Sequence, residues 1–144
     1  MKTLLIGYGN TLRGDDGFGV FVATEIEKLN LFDVVISHQL TPEMVFLMRE
    51  YELILFVDSA VGVDEFALSS PLSAKSSTNS LVDHSISPFF LQDMTKQLFD
   101  KTVDILLFSI LIKEFDYSEE LSIECKSRAC ELIEFLSNSE FKYF

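Results

Sequence analysis

The sequence predicts an α/β fold in which a single domain, residues 1–144, forms a three-layer α/β/α sandwich with a mostly parallel central sheet. Three observations predict this fold. Short apolar strands alternate along the chain with stretches whose apolar residues recur at helical spacing. A glycine-rich turn joins the first strand directly to a helix. The chain has 144 residues, 48% of them hydrophobic, which is enough to bury one core.

The first half of the chain contains two strand–helix units. Residues 3–6 are apolar on both faces, as expected for a central strand covered by helices on both sides. The helix that follows carries an apolar stripe of Phe18, Val22, Ile26 and Leu29. Residues 34–37 predict the second strand, and Thr41 is the expected N-cap of a helix with Pro42 in its first turn.

The middle of the chain contains its most continuous apolar strand, residues 53–57, which is followed directly by Asp58. Half of the residues between Ser69 and Ser80 are serines, which predicts a solvated connection. Ser87 then precedes a proline and is the expected N-cap of another helix.

The last part of the chain predicts one more strand and one more helix. Residues 103–112 form a buried strand interrupted only by Asp104 and Ser109. Ser118 is expected to open the last helix, because two glutamates follow it and negative charge suits a helix N-terminus. The apolar stripe of that helix consists of Leu121, Cys125, Ala129, Leu132, Ile133 and Leu136.

The overall charge argues against two classes of partner. The 11 Lys and Arg residues stand against 23 Asp and Glu residues, a net charge of −12. We therefore expect neither nucleic acid nor a membrane surface as a partner. We expect no signal peptide, and no apolar run approaches the roughly 20 residues of a membrane helix. Its two cysteines, Cys125 and Cys130, are expected to be reduced, so we predict a cytoplasmic protein.

Polar side chains gather where the predicted strands end. Asp16, His38 and Asp58 each lie at or just past the carboxyl end of a strand, and His84 precedes a helix that should start from the same edge. In such sheets the ligand crevice lies outside the carboxyl ends of the strands. Two carboxylates and an imidazole suit a borderline divalent ion with open coordination positions.

Other interpretations of these residues remain open. The turn begins like a dinucleotide fingerprint, but the third glycine position is Leu12, and Asp15 and Asp16 would repel a pyrophosphate. No Gly-x-Ser-x-Gly elbow of a serine hydrolase occurs. An aspartic dyad of Asp16 and Asp58 is conceivable but leaves His84 without a role. Each of these side chains also suits a purely structural role in capping a helix or a loop.

Residues 7–19, GYGNTLRGDDGFG, resemble the signature of the hydrogenase maturation endopeptidases, which trim the large subunit of nickel-iron hydrogenases. The similarity extends to Val57-Asp58-Ser59-Ala60 and to His84 with Ser87. The resemblance implies a phosphorylase/hydrolase-like fold. It also implies a protease that removes a C-terminal extension from the large-subunit precursor after nickel has been inserted.

The resemblance further implies that Asp16, Asp58 and His84 contact the metal and form the catalytic site. The nickel belongs to the substrate and serves as a recognition element, so the resting enzyme need carry no metal. The expected partner is the large-subunit precursor, and the protein is expected to be a monomer. Two alternatives are a noncatalytic partner that checks the precursor for nickel and a nucleotide-binding domain.

Overall fold

The computed structural model describes residues 2–10, 14–61, 67–69, 86–112 and 121–138. For residues 15, 16, 59–61, 67–69 and 110–112 it describes the backbone alone. Within these ranges, no helix has the length and apolar character needed to cross a membrane.

Five strands form one sheet in the described part of the chain. They are β1 (Thr3–Tyr8), β2 (Asp33–Ser37), β3 (Leu53–Val61), β4 (Ala67–Ser69) and β5 (Asp104–Ile112). The spatial order is β2-β1-β3-β5-β4, and only the edge strand β4 runs antiparallel to its neighbour. The predicted α/β fold with a mostly parallel sheet is therefore confirmed. That residues 1–144 form a single domain stays a prediction.

Helices cover both faces of the sheet, because the strands supply apolar side chains alternately to each face. The helices are α1 (Phe18–Leu29), α2 (Val45–Met48), α3 (Pro88–Phe99) and α4 (Ile123–Ser137). Two 3₁₀ turns, Gly14–Gly17 and Pro42–Met44, precede α1 and α2. Helices α1 and α4 share one buried cluster with Leu5 and Val57, whereas α2 and α3 share the other with Ile6 and Phe56.

The end of α1 and the start of the last helix differ from the sequence prediction. Leu29 is 49% exposed, because the stripe turns away from the sheet as α1 reaches its C-cap. The last helix begins at Ile123 after the N-cap Ser122, whose Oγ accepts a hydrogen bond from the Cys125 N–H at 3.1 Å. The predicted start of this helix at Ser118 is wrong, because Ser122 provides the N-cap.

Candidate functional site

The turn after β1 closes against the neighbouring strand and needs glycine at two positions. The Gly9 N–H donates to the Ser37 carbonyl oxygen at 3.2 Å, which ties the turn to the carboxyl end of β2. Gly9 has φ 148° and Gly14 has φ 57°, backbone conformations that side chains disfavour. The exposed His38 follows β2 at this same edge.

Two further glycines let α1 lie directly on the backbone of the sheet. A Cβ at Gly19 would collide with the Val57 carbonyl oxygen and would lie 2.6 Å from the Tyr8 carbonyl oxygen. A Cβ at Gly7 would collide with the Gly19 carbonyl oxygen and with the Ala23 side chain. The first turn of α1 is therefore pressed against β1 and β3 where β1 ends.

This close approach determines where the backbone of Asp16 lies. Asp16 belongs to the turn Gly14–Gly17, which immediately precedes α1 and contacts β3. The structure thus brings the segment that carries Asp16 against the strand that carries Asp58. The side chain of Asp16 is not among those described, so its part in a metal site stays a prediction.

Asp58 lies inside β3 rather than at its end, which corrects the sequence prediction. β3 continues to Val61 because β5 runs beside it, with Asp58 in register with Ser109. The pairing of β1 with β3, in contrast, ends at Gly7 and Val57. Asp58 therefore lies one residue beyond the last paired residues of β1 and β3.

Three side chains on neighbouring strands form a row across the sheet. The Tyr8 hydroxyl on β1 donates to Asp58 Oδ2 at 2.7 Å, and the Ser109 hydroxyl on β5 donates to Asp58 Oδ1 at 2.8 Å. All three residues are half-buried. Because each carboxylate oxygen accepts from a different neighbouring strand, rotation of the Asp58 carboxylate is restrained.

Burial and the nearby Asp58 carboxylate keep Tyr8 protonated. Burial, the negative charge of Asp58 and their hydrogen bond raise the pKa of Tyr8 well above its ordinary value of 10.0. The phenol is therefore a hydrogen-bond donor at neutral pH, and a partly buried carboxylate needs such donors.

The third predicted site residue, His84, lies outside the described residues. Ser87, three positions later, caps α3, and its Oγ accepts from the Phe90 N–H at 3.1 Å. Because α3 ends shortly before the amino end of β5, its capped end lies towards the carboxyl edge of the sheet. Among the described side chains no group of three His, Cys, Asp or Glu could hold a metal. The set of Asp16, Asp58 and His84 remains a prediction.

Tyr8 and Ser109 were not identified as site residues from the sequence. The available signal was weak: each is a hydroxyl-bearing residue in a strand that is otherwise largely apolar. Their common target follows only from the strand order β1-β3-β5, which places both of them beside Asp58.

No protein-family model matches the chain, and no curated protein matches it. Solved structures do match. The NiFe hydrogenase maturation protease HycI from Thermococcus kodakarensis KOD1 is 28% identical, with a TM-score of 0.73 over 92% of this chain and 88% of that one. The chain is a structural relative of the hydrogenase maturation proteases.

Two further maturation proteases share this fold at lower identity. HybD from Thermococcus kodakarensis is 21% identical, with a TM-score of 0.67 over 93% of this chain and 95% of that one. The hydrogenase maturating endopeptidase HybD from E. coli is 16% identical, with a TM-score of 0.70 over 93% and 88%. The resemblance seen in the sequence is confirmed, and the proteins that the chain resembles are hydrolases.

Proposed function

We propose that this protein is an endopeptidase that removes the C-terminal extension of a nickel-iron hydrogenase large-subunit precursor after nickel insertion. The observation that carries the proposal is the 28% identity to a maturation protease over about nine-tenths of both chains. The restrained carboxylate of Asp58, at the edge where ligands of parallel sheets bind, supports the same conclusion.

In this proposal Asp16, Asp58 and His84 hold the nickel that the precursor carries. Carboxylate oxygens and an imidazole nitrogen are suitable ligands for a borderline divalent ion. Binding the ion places the adjoining peptide against the carboxyl edge of the sheet, which lowers the entropic cost of its cleavage. A precursor without nickel is then spared, because its peptide is not positioned.

We further propose that the protein acts as a monomer in the cytoplasm. Cys125 is buried, whereas Cys130 is an exposed free thiol. An exposed free thiol is typical of a reducing compartment.

Mass spectrometry of the precursor tests the proposal. Nickel-loaded precursor is incubated with the native protein, with Asp16→Asn and with the neighbouring control Asp15→Asn, and nickel-free precursor is treated in parallel. We expect the native protein and the Asp15→Asn control to remove a C-terminal peptide from nickel-loaded precursor. Asp16→Asn should leave that precursor intact, and nickel-free precursor should stay intact with all three proteins.

Two outcomes would contradict the proposal. If the two proteins associate in a nickel-dependent way but the precursor mass never changes, the protein checks for nickel without cutting. If they do not associate and a dinucleotide raises the thermal stability of the protein, the nucleotide-binding interpretation is correct.

A further inference from the structure

We propose that Tyr8 and Ser109 are positioning residues that hold the Asp58 carboxylate in the orientation that binds the nickel-bearing precursor. The inference rests on the proposed function and extends it to two residues outside the predicted ligand set. The row of Tyr8, Asp58 and Ser109 across β1, β3 and β5 carries it.

The register of the sheet explains why these three side chains meet. Ser109 is the register partner of Asp58, so both side chains point to the same face of neighbouring strands. Tyr8 follows Gly7, the last residue of β1 that pairs with β3, and its ring packs against the cluster that α2 and α3 cover. Its hydroxyl thereby reaches Asp58 from the side opposite to Ser109.

The two hydroxyl groups restrict the rotation of the carboxylate about its last side-chain bond. Hydrogen bonds of 2.7 and 2.8 Å go to different oxygens of Asp58, so turning the carboxylate would break at least one of them. Residues that orient a metal-binding carboxylate in this way strongly affect how tightly the metal is held.

The chain offers a matched control for the tyrosine. The Tyr51 hydroxyl donates to Asp33 Oδ2, also at 2.7 Å, but this pair lies near the amino ends of β2 and β3. Tyr51→Phe therefore removes the same kind of hydrogen bond, between the same two residue types, at the opposite edge of the sheet.

The experiment measures kcat, KM and the Kd of the precursor, with and without nickel, for Tyr8→Phe, Ser109→Ala, Ser109→Thr and Tyr51→Phe. We expect Tyr8→Phe and Ser109→Ala each to raise KM and the Kd of nickel-loaded precursor by about 10- to 100-fold. The Kd of nickel-free precursor should not change, whereas a general structural defect would weaken the binding of both precursors. Ser109→Thr keeps the hydroxyl and should restore binding, and Tyr51→Phe should behave like the native protein.

Unchanged KM and Kd in both Tyr8→Phe and Ser109→Ala would overturn the inference. A fall in kcat with KM and Kd unchanged would also overturn it, because the hydroxyl groups would then act in the chemical step. If the native protein does not cut the precursor, the proposed function fails, and the crystal structure of the Tyr8→Phe/Ser109→Ala double variant decides the inference separately. We expect the Asp58 carboxylate to turn in that variant; an unchanged orientation would contradict the inference.

Discussion

Two tyrosine–aspartate pairs lie at opposite edges of the same sheet, and their hydrogen bonds are equally short. Tyr8 donates to Asp58 and Tyr51 donates to Asp33, each at 2.7 Å. Asp58 is half-buried in β3, between two other strands, and accepts a second hydrogen bond from Ser109. Asp33 is exposed at the first residue of the edge strand β2. The tyrosine–aspartate hydrogen bond therefore does not by itself distinguish a functional site. The position of the carboxylate in the sheet distinguishes it.

The surroundings of the two phenols differ as well. Burial, the hydrogen bond to Asp33 and the charges of Asp33 and Glu50 raise the pKa of Tyr51 to about 12. The Lys2 ammonium lies 4.9 Å from the centre of the Tyr51 ring. At the carboxyl edge the pKa of Tyr8 is also raised. In addition, the turn that carries Asp16 contacts β3, the strand that carries Asp58. We expect the amino edge to contribute stability and the carboxyl edge to contribute function.

Exchanging each aspartate for asparagine should give the largest contrast between the two edges. Under the proposed function, Asp58→Asn removes a negatively charged nickel ligand. We therefore expect kcat/KM for nickel-loaded precursor to fall by more than about 100-fold, beyond the usual cost of altering residues around a metal ligand. Asp33→Asn should leave kcat/KM within about twofold of the native value, as is usual for surface substitutions away from a site. Cleavage rates measured by mass spectrometry check both values. Equal losses in the two variants would remove the distinction between the edges.

Adding a methyl group where α1 meets the carboxyl edge should destabilise the whole fold. In Gly19→Ala the new Cβ meets the carbonyl oxygens of Val57 and Tyr8, so the helix must shift. We expect the free energy of unfolding to fall by about 1–3 kcal/mol, the usual cost of overpacking. Thr24→Ala, on the same helix, is the control: it adds no atom, and it removes a methyl group and the hydroxyl that donates to the Val20 carbonyl oxygen. Urea unfolding followed by circular dichroism measures both; native stability in Gly19→Ala would mean that the contact is looser than described.

Removing the hydroxyl at the amino edge should have the smallest effect and should depend on pH. Tyr51→Phe is expected to cost about 0.5–1.5 kcal/mol near neutral pH, the usual contribution of one hydrogen bond. The folded pKa of about 12 exceeds the ordinary value of 10.0. The stabilisation is therefore complete below pH 10 and is lost as the pH rises towards 12. The stability difference between the native protein and Tyr51→Phe should shrink over this range in urea unfolding. A constant difference would show that Tyr51 does not titrate as described.

Much of this architecture could be predicted from local patterns. The apolar runs predict β1, β2, β3 and β5 but not the three-residue edge strand β4. Ser87 before Pro88 correctly predicts the cap of α3. The start of the last helix was missed because charge near a helix N-terminus is a weaker signal than a serine that can cap it. The two glutamates after Ser118 predict a helix start there, whereas Ser122 forms the cap.

The site was less predictable, because it depends on which strands become neighbours. Asp58 was identified from its position after an apolar run, but the continuation of β3 beyond it depends on pairing with β5. Tyr8 lies 50 residues before Asp58 in the chain, and Ser109 lies 51 residues after it. No local pattern relates residues so far apart; the parallel crossovers bring them together.

The most direct test of the central claim is to locate the nickel. Anomalous scattering at the nickel absorption edge, from crystals of the Asp16→Asn variant in complex with nickel-loaded precursor, would show the ion relative to both edges. We expect it at a bonding distance from an Asp58 oxygen, about 2.0–2.2 Å for carboxylate ligands of such ions. Nickel beyond the reach of Asp58, or a precursor bound at the edge that carries Asp33 and Tyr51, would contradict the claim that the carboxyl edge recognises the metal.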